Sequence, residues 1–85
     1  MPPKADDFRS ELRARLRAAE LAGKAFLDVN AGDVHRAIGG YPGPKTHRMP
    51  MCRSVMRQEL HAGDSIVSER ASDGASFTAR YKLPR

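Results

Sequence analysis

The chain has little cysteine, few aromatic residues and no long apolar run. It contains one cysteine and no tryptophan. A single cysteine allows no disulfide within the chain, which fits a reducing compartment. No stretch approaches the roughly 18 apolar residues of a membrane span, and the N-terminal segment lacks the apolar core of a signal peptide. We therefore expect a cytoplasmic protein with no membrane partner.

Catalytic arrangements are also lacking. No Ser-His-Asp set or pair of neighbouring carboxylates emerges, and a chain of 85 residues forms a small core, since domains of this size bury only about 60% of their unfolded surface. A deep substrate cavity is not expected. The sequence therefore predicts a non-enzymatic protein without a cofactor, with a flexible leader over residues 1–5 and one domain over residues 6–85.

Acidic residues are absent from one block of the chain. The block Val34–Gln58 holds five Lys or Arg residues and no Asp or Glu, so the whole net charge of +5 falls there, because the remaining residues hold 10 basic and 10 acidic side chains. A local basic excess suits a polyanion such as nucleic acid. A solvated basic surface is the alternative interpretation.

One basic stretch partly matches the sequence pattern of a nucleotide-binding loop. Gly39 to Thr46 follows the P-loop pattern except at Pro44, where the pattern has glycine. Proline has no N–H and a fixed φ, so the row of N–H donors that grips a nucleotide phosphate cannot form. We expect no bound nucleotide. Phosphates of a polymer could still be met by the side chains of this stretch.

The first half of the domain predicts a helix, a strand and a second helix. Asp6–Ala22 is predicted as an amphipathic helix capped by Asp6 and ended by Gly23. Its arginines are interpreted mainly as a solvated surface. Phe26–Val29 is predicted as an edge strand. Asn30 then caps a short helix that ends at the following glycines. The expected core residues of these helices are Phe8, Leu12, Leu16, Ala19, Val34, Ala37 and Ile38.

The second half predicts a third helix and a hairpin. Pro50–His61 has one apolar side, consisting of Met51, Cys52, Val55 and Met56. Glu59 also falls on that side, so it must reach the rim or pair with a base. From Ser65 the period is two, and Asp73–Gly74 predicts the hairpin turn. The inward side of the second arm is expected to comprise Phe77, Ala79, Tyr81 and Leu83.

This order of elements resembles the winged-helix variant of the helix-turn-helix DNA-binding family. The resemblance implies an α+β fold of three helices with a short strand and a C-terminal two-stranded β-hairpin, the wing. The connector between the second and third helices, residues 40–48, is longer than the family's usual turn. Short segments are also similar to a small group of uncharacterised bacterial proteins, namely GDVHR, GGYPG, HRMP and RYKLPR.

The resemblance implies double-stranded DNA as the partner, with the third helix in the major groove and the wing on the neighbouring backbone. The expected role is that of a small bacterial transcription regulator or a DNA-processing accessory factor, and a homodimer would suit a palindromic site. Arginines on the helix could read guanine and Gln58 could read adenine. The candidate DNA-binding residues are Lys45, Thr46, His47, Arg48, Arg53, Ser54, Arg57, Gln58, Arg70 and Arg80.

Three alternatives to DNA binding arise from individual residues. The possible metal ligands His35, His47, Cys52 and His61 have no compact zinc spacing, so no metal site is expected. Cys52 lies on an apolar side, which favours a buried thiol over a nucleophile. The serious rival to DNA binding is a protein-binding adaptor or inhibitor that docks on a partner of a nucleic-acid-processing complex. Its apolar contact would use the adaptable side chains Met49, Met51 and Met56.

Overall fold

The domain combines three helices with one antiparallel sheet. The computed structural model describes residues 4–39, 49–70 and 73–84, with the backbone alone described at residues 69, 70 and 73–76. The predicted α+β class is confirmed. The short strand and the C-terminal arms form one three-stranded sheet, of order β1-β3-β2, rather than a strand and a separate hairpin. In chain order the elements are α1 (Ala5–Leu21), β1 (Phe26–Asn30), α2 (Ala31–Ile38), α3 (Met49–Gln58), β2 (Ser65–Arg70) and β3 (Asp73–Lys82).

Helix α1 is fixed by an apolar stripe and by its two ends. Its N-cap is Lys4, not Asp6 as predicted, because the carboxylate of Asp7 accepts a hydrogen bond of 2.7 Å from the Lys4 backbone N–H. The helix stops before Gly23, whose φ of 79° suits glycine at a helix C-terminus. The predicted stripe is confirmed as buried: Phe8, Leu12, Leu16 and Ala19.

Strand β3 is central and β1 and β2 are the edges. The β1 register runs from Phe26 opposite Lys82 to Asn30 opposite Thr78, so the predicted edge position of the first strand is confirmed. The predicted turn is wrong, because Arg70 pairs with Asp73 and the reversal therefore precedes Asp73–Gly74. The alternation in β3 is confirmed, since its inward residues Phe77, Ala79 and Tyr81 are buried, as is Leu83 just after the strand.

Helix α2 starts as predicted and packs differently from the prediction. The Asn30 side chain accepts a hydrogen bond of 3.1 Å from the Asp33 N–H, which caps the helix. Val34 is fully buried, whereas Ala37 is exposed.

One core position on α2 that the sequence did not predict is His35. It is fully buried, and its ring meets that of Phe8 edge-on at a centroid distance of 5.0 Å and an angle of 77°. Edge-to-face packing of this kind is favourable between aromatic rings. The imidazole therefore acts as part of the α1–α2 contact.

Helix α3 buries one side against α1, α2 and β3. It ends at Gln58, three residues before the predicted end at His61. Met51 is not a core residue, since 36% of it is exposed. The Tyr81 hydroxyl donates a hydrogen bond of 2.8 Å to the Met56 carbonyl, one of the last carbonyls of the helix. The buried residues of α3 are Met49, Cys52, Val55 and Met56.

Candidate nucleic-acid interface

The outward side of α3 is polar and contains no acid. The helix Met49–Gln58 has no Asp or Glu. Ser54, Arg57 and Gln58 are exposed and Arg53 is partly exposed. The two arginines of α3 lie one turn apart, beside the apolar residues that face the core. The outward side can meet an anionic partner without repulsion from its own helix.

The first acid after α3 is turned away from this surface. Glu59 has a side chain that is only 17% exposed, and it contacts Arg13 Nε at 2.8 Å and Arg9 Nε at 3.9 Å. The hydrogen bond to Glu59 raises the pKa of Arg13. This agrees with the expectation that Glu59 pairs with a base. Its charge is balanced by arginines of α1.

Of the α1 arginines predicted to form mainly a solvated surface, Arg13 and Arg17 are exposed, whereas Arg9 contacts α3. Besides its contact with Glu59, Arg9 donates a hydrogen bond of 2.9 Å from Nη2 to Gln58 Oε1. The amide oxygen of Gln58 is therefore already used as an acceptor. Bidentate reading of adenine, which needs both the oxygen and the amino group, would require Arg9 to move.

Arg57 lies where α3 meets the sheet. Its Cζ lies 5.0 Å from the centroid of the Phe77 ring, and Phe77 is buried in β3. Cation–π contact of this type restrains a guanidinium group. The sequence carried no signal for this contact, because the two residues lie in different elements.

Arg53 is less exposed than predicted. Its Nε is buried and has no hydrogen-bond partner in the structure, while the residue as a whole is partly exposed. Packing rather than hydrogen bonding therefore holds the inner part of the side chain.

Arg80 is engaged within the sheet. It forms a bidentate contact with Asp28, at 2.7 Å from Nε and 3.1 Å from Nη2, and its Cζ lies 4.4 Å from the centroid of the Phe26 ring. The hydrogen bond from Arg80 lowers the pKa of Asp28. Two of the five N–H donors of Arg80 are therefore already used on the outer side of the sheet.

The other candidates are only partly described. Arg70 is the last residue of β2 and pairs with Asp73, and its side chain is not among those described. The rest of the predicted phosphate-contacting group falls outside the described residues: Lys45, Thr46, His47 and Arg48.

Cys52 has the environment of a structural thiol, as predicted. It is fully buried, and its Sγ donates to the Ala31 carbonyl at 3.6 Å. Burial raises the pKa of the thiol to about 12. Since the thiolate is the nucleophilic form, this side chain is not suited to catalysis near neutral pH.

Within the described ranges, no three His, Cys, Asp or Glu side chains come together as a potential metal site. No helix in these ranges has the length and apolar character needed to cross a bilayer. Comparisons with protein-family models, curated proteins and solved structures found no match to the chain.

Proposed function

We propose that this protein is a winged-helix protein that binds double-stranded DNA, with α3 as the recognition helix and β2–β3 as the wing. The observation that carries the proposal is the acid-free outward side of α3, from which Glu59 is withdrawn onto α1. The element order and the strand order β1-β3-β2 support it, because they place a two-stranded arm directly after the third helix, as in that family.

The chemistry of α3 suits the major groove. The groove is about 12 Å wide and admits a helix. Arg53 and Arg57 can present N–H donors to guanine or phosphate, and Ser54 between them adds a hydroxyl. The stack of Arg57 on Phe77 orients one guanidinium before binding, which lowers the entropic cost of complex formation. The proposed biological role is that of a small bacterial transcription regulator or a DNA-processing accessory factor.

The test is the combined substitution Arg53→Ala and Arg57→Ala, assayed by fluorescence anisotropy on a pool of random-sequence duplexes. We expect affinity to fall by about 100-fold, since each guanidinium–phosphate hydrogen bond lost contributes on the order of 1.5 kcal/mol or more. The slope of log K against log salt should also become shallower by about 0.9 for each phosphate that the variant no longer neutralises.

The matched control is Arg17→Ala with Lys24→Ala, which removes the same charge from the surface of α1 and from the turn after it. This control should lower affinity much less than the α3 pair does, because it changes only the overall electrostatic potential of the protein. Circular dichroism checks that both variants are folded. Equal decreases for the two pairs, or an unchanged affinity of the α3 variant, would refute α3 as the recognition helix.

The adaptor hypothesis no longer has the apolar surface on which it was based. Met49 and Met56 are 2% and 0% exposed, so of those three methionines only Met51 could contact a partner. Salt separates the two functions: phosphate contacts weaken steeply as salt rises, whereas an apolar docking contact changes little.

A further inference from the structure

Gln58 is a point at which α1 touches the outward side of α3. It is the last residue of the helix and is exposed. Ser54 lies one turn earlier and is exposed as well, so the two side chains belong to one surface. The Oε1 atom of Gln58 accepts a hydrogen bond of 2.9 Å from Arg9 Nη2. This hydrogen bond determines which end of the amide a ligand can meet.

The orientation of the Gln58 amide follows from the chemistry of its partner. A guanidinium group has N–H donors and no acceptor, so the amide atom that faces Arg9 has to be the oxygen. Turning the amide around would place its amino group against the guanidinium, donor against donor, and would remove a charge-assisted hydrogen bond. With its oxygen held by Arg9, Gln58 can offer a ligand the N–H donors of its amino group.

Arg9 is itself held in place by two carboxylates. Its Nη1 contacts Asp6 Oδ1 at 2.7 Å, and its Nε lies 3.9 Å from Glu59 Oε2. Each nitrogen of the guanidinium therefore faces a different partner, since Nη2 faces Gln58. The side chain of Arg9 is only 26% exposed. The orientation of Gln58 is thus set by α1 and not by α3 alone.

The bases of a duplex differ in what they offer to such a donor. In the major groove guanine presents two acceptors, O6 and N7, whereas adenine presents one acceptor beside an amino donor. Cytosine presents a donor and thymine a single acceptor. An amide that uses both its oxygen and its amino group matches adenine, but an amino group alone matches guanine best. The guanidinium of Arg57, which is exposed on the same helix, is also a donor only.

We propose that Arg9 is a positioning residue that makes Gln58 a hydrogen-bond donor and thereby directs α3 to guanine, not adenine, at the position that Gln58 meets. The inference rests on the proposed function and names the class of duplex that the protein selects. Arg9 acts through Gln58 and need not touch the DNA. Its effect should therefore appear in base preference at one position of the binding site.

The test is selection of binding sites by the full chain from a pool of random-sequence duplexes, followed by sequencing. Gln58→Ala identifies the position concerned, because the preference for guanine should disappear there and persist elsewhere. Arg9→Met keeps a long side chain but removes the donors that hold the amide oxygen. We expect the ratio of guanine to adenine at that position to fall by about tenfold in Arg9→Met, since the released amide can pair with adenine through both its ends.

Arg13→Met is the matched control. It removes the same charge from α1 and also a contact with Glu59, at 2.8 Å, but among the described residues Arg13 makes no hydrogen bond to Gln58. Both variants should bind all duplexes more weakly, because both lose a positive charge. Only Arg9→Met should change the ratio of guanine to adenine. A general loss of stability or affinity does not change that ratio, because it compares two bases bound by one protein.

The side-chain amide resonances of Gln58 in the free protein give a measurement that needs no DNA. They should shift in Arg9→Met and stay in place in Arg13→Met. Unchanged resonances in Arg9→Met overturn the inference. So does selection of adenine by the unmodified chain, the same base ratio in both arginine variants, or no effect of Gln58→Ala, even if the chain binds duplexes tightly. A chain that enriches no duplex at all overturns DNA binding itself, and the inference with it.

Discussion

The two sides of α3 are determined by different interactions, namely packing on the inward side and charge on the outward side. Side chains on the inward side are packed in the core: Cys52, Val55 and Met56 are at most 1% exposed. The outward side is defined by charge, with Arg53 and Arg57 on a helix that has no acid. Packing makes the inward side sensitive to volume and hydrogen bonding, whereas the outward side should affect stability little and affinity strongly.

The largest expected effect is on the free energy of unfolding. It compares the replacement of methionine by alanine at a buried and at an exposed position of α3. Met56→Ala should lower the free energy of unfolding by about 2–5 kcal/mol, because it removes a fully buried side chain and leaves a cavity. Met51→Ala, on the same helix but 36% exposed, should change it by only about 0.5 kcal/mol. Urea denaturation measures both. Similar decreases at the two positions would show that Met51 belongs to the core after all.

Sequence periodicity was enough to predict most of the buried residues. The stripe of α1 and the alternation of β3 repeat over many residues, so each pattern is supported several times. Met51, which the prediction placed on the apolar side of α3 but which is exposed, lies near the start of the helix, where one neighbour decides whether a side chain is covered. His35 was missed because a buried polar residue gives no apolar signal; its position depends on Phe8, a partner on another helix.

The outward side and the sheet edges were harder to predict because they depend on contacts between distant residues. The side chain of Glu59 is directed by Arg13 and that of Gln58 by Arg9. Each partner lies on α1, more than 40 residues earlier. The Asp73–Gly74 signal failed for another reason: a favourable turn pair does not determine the register of the strands, and Asp73 pairs with Arg70 within the sheet.

A second, smaller effect is expected in the pH dependence of stability, through Cys52 on the inward side of α3. The pKa of Cys52 is raised from 9.0 to about 12 by burial, so only the unfolded state ionises between these values. The contribution of the protonated Cys52 thiol to the free energy of unfolding is therefore complete below about pH 9. It declines as pH rises towards 12, by about 1.4 kcal/mol at pH 10. Urea titrations of the protein and of Cys52→Ala at several pH values should diverge over this window. Parallel curves would contradict a buried, protonated thiol.

A change in stability smaller than that of Cys52 is expected for Arg57, and it separates the two roles of this residue. Arg57→Ala removes the stack on Phe77 and should lower the free energy of unfolding by about 0.5–1 kcal/mol, the range for an exposed cation–π contact. Arg57→Lys keeps a cation near the ring and should recover part of that stability. Lysine lacks the planar fork that reads guanine, so duplex affinity should stay reduced in both variants. If lysine restored affinity together with stability, Arg57 would act as a general positive charge. A decrease in stability as large as that of Met56→Ala would mean that the outward side of α3 is part of the core packing, and the distinction between the two sides would fail.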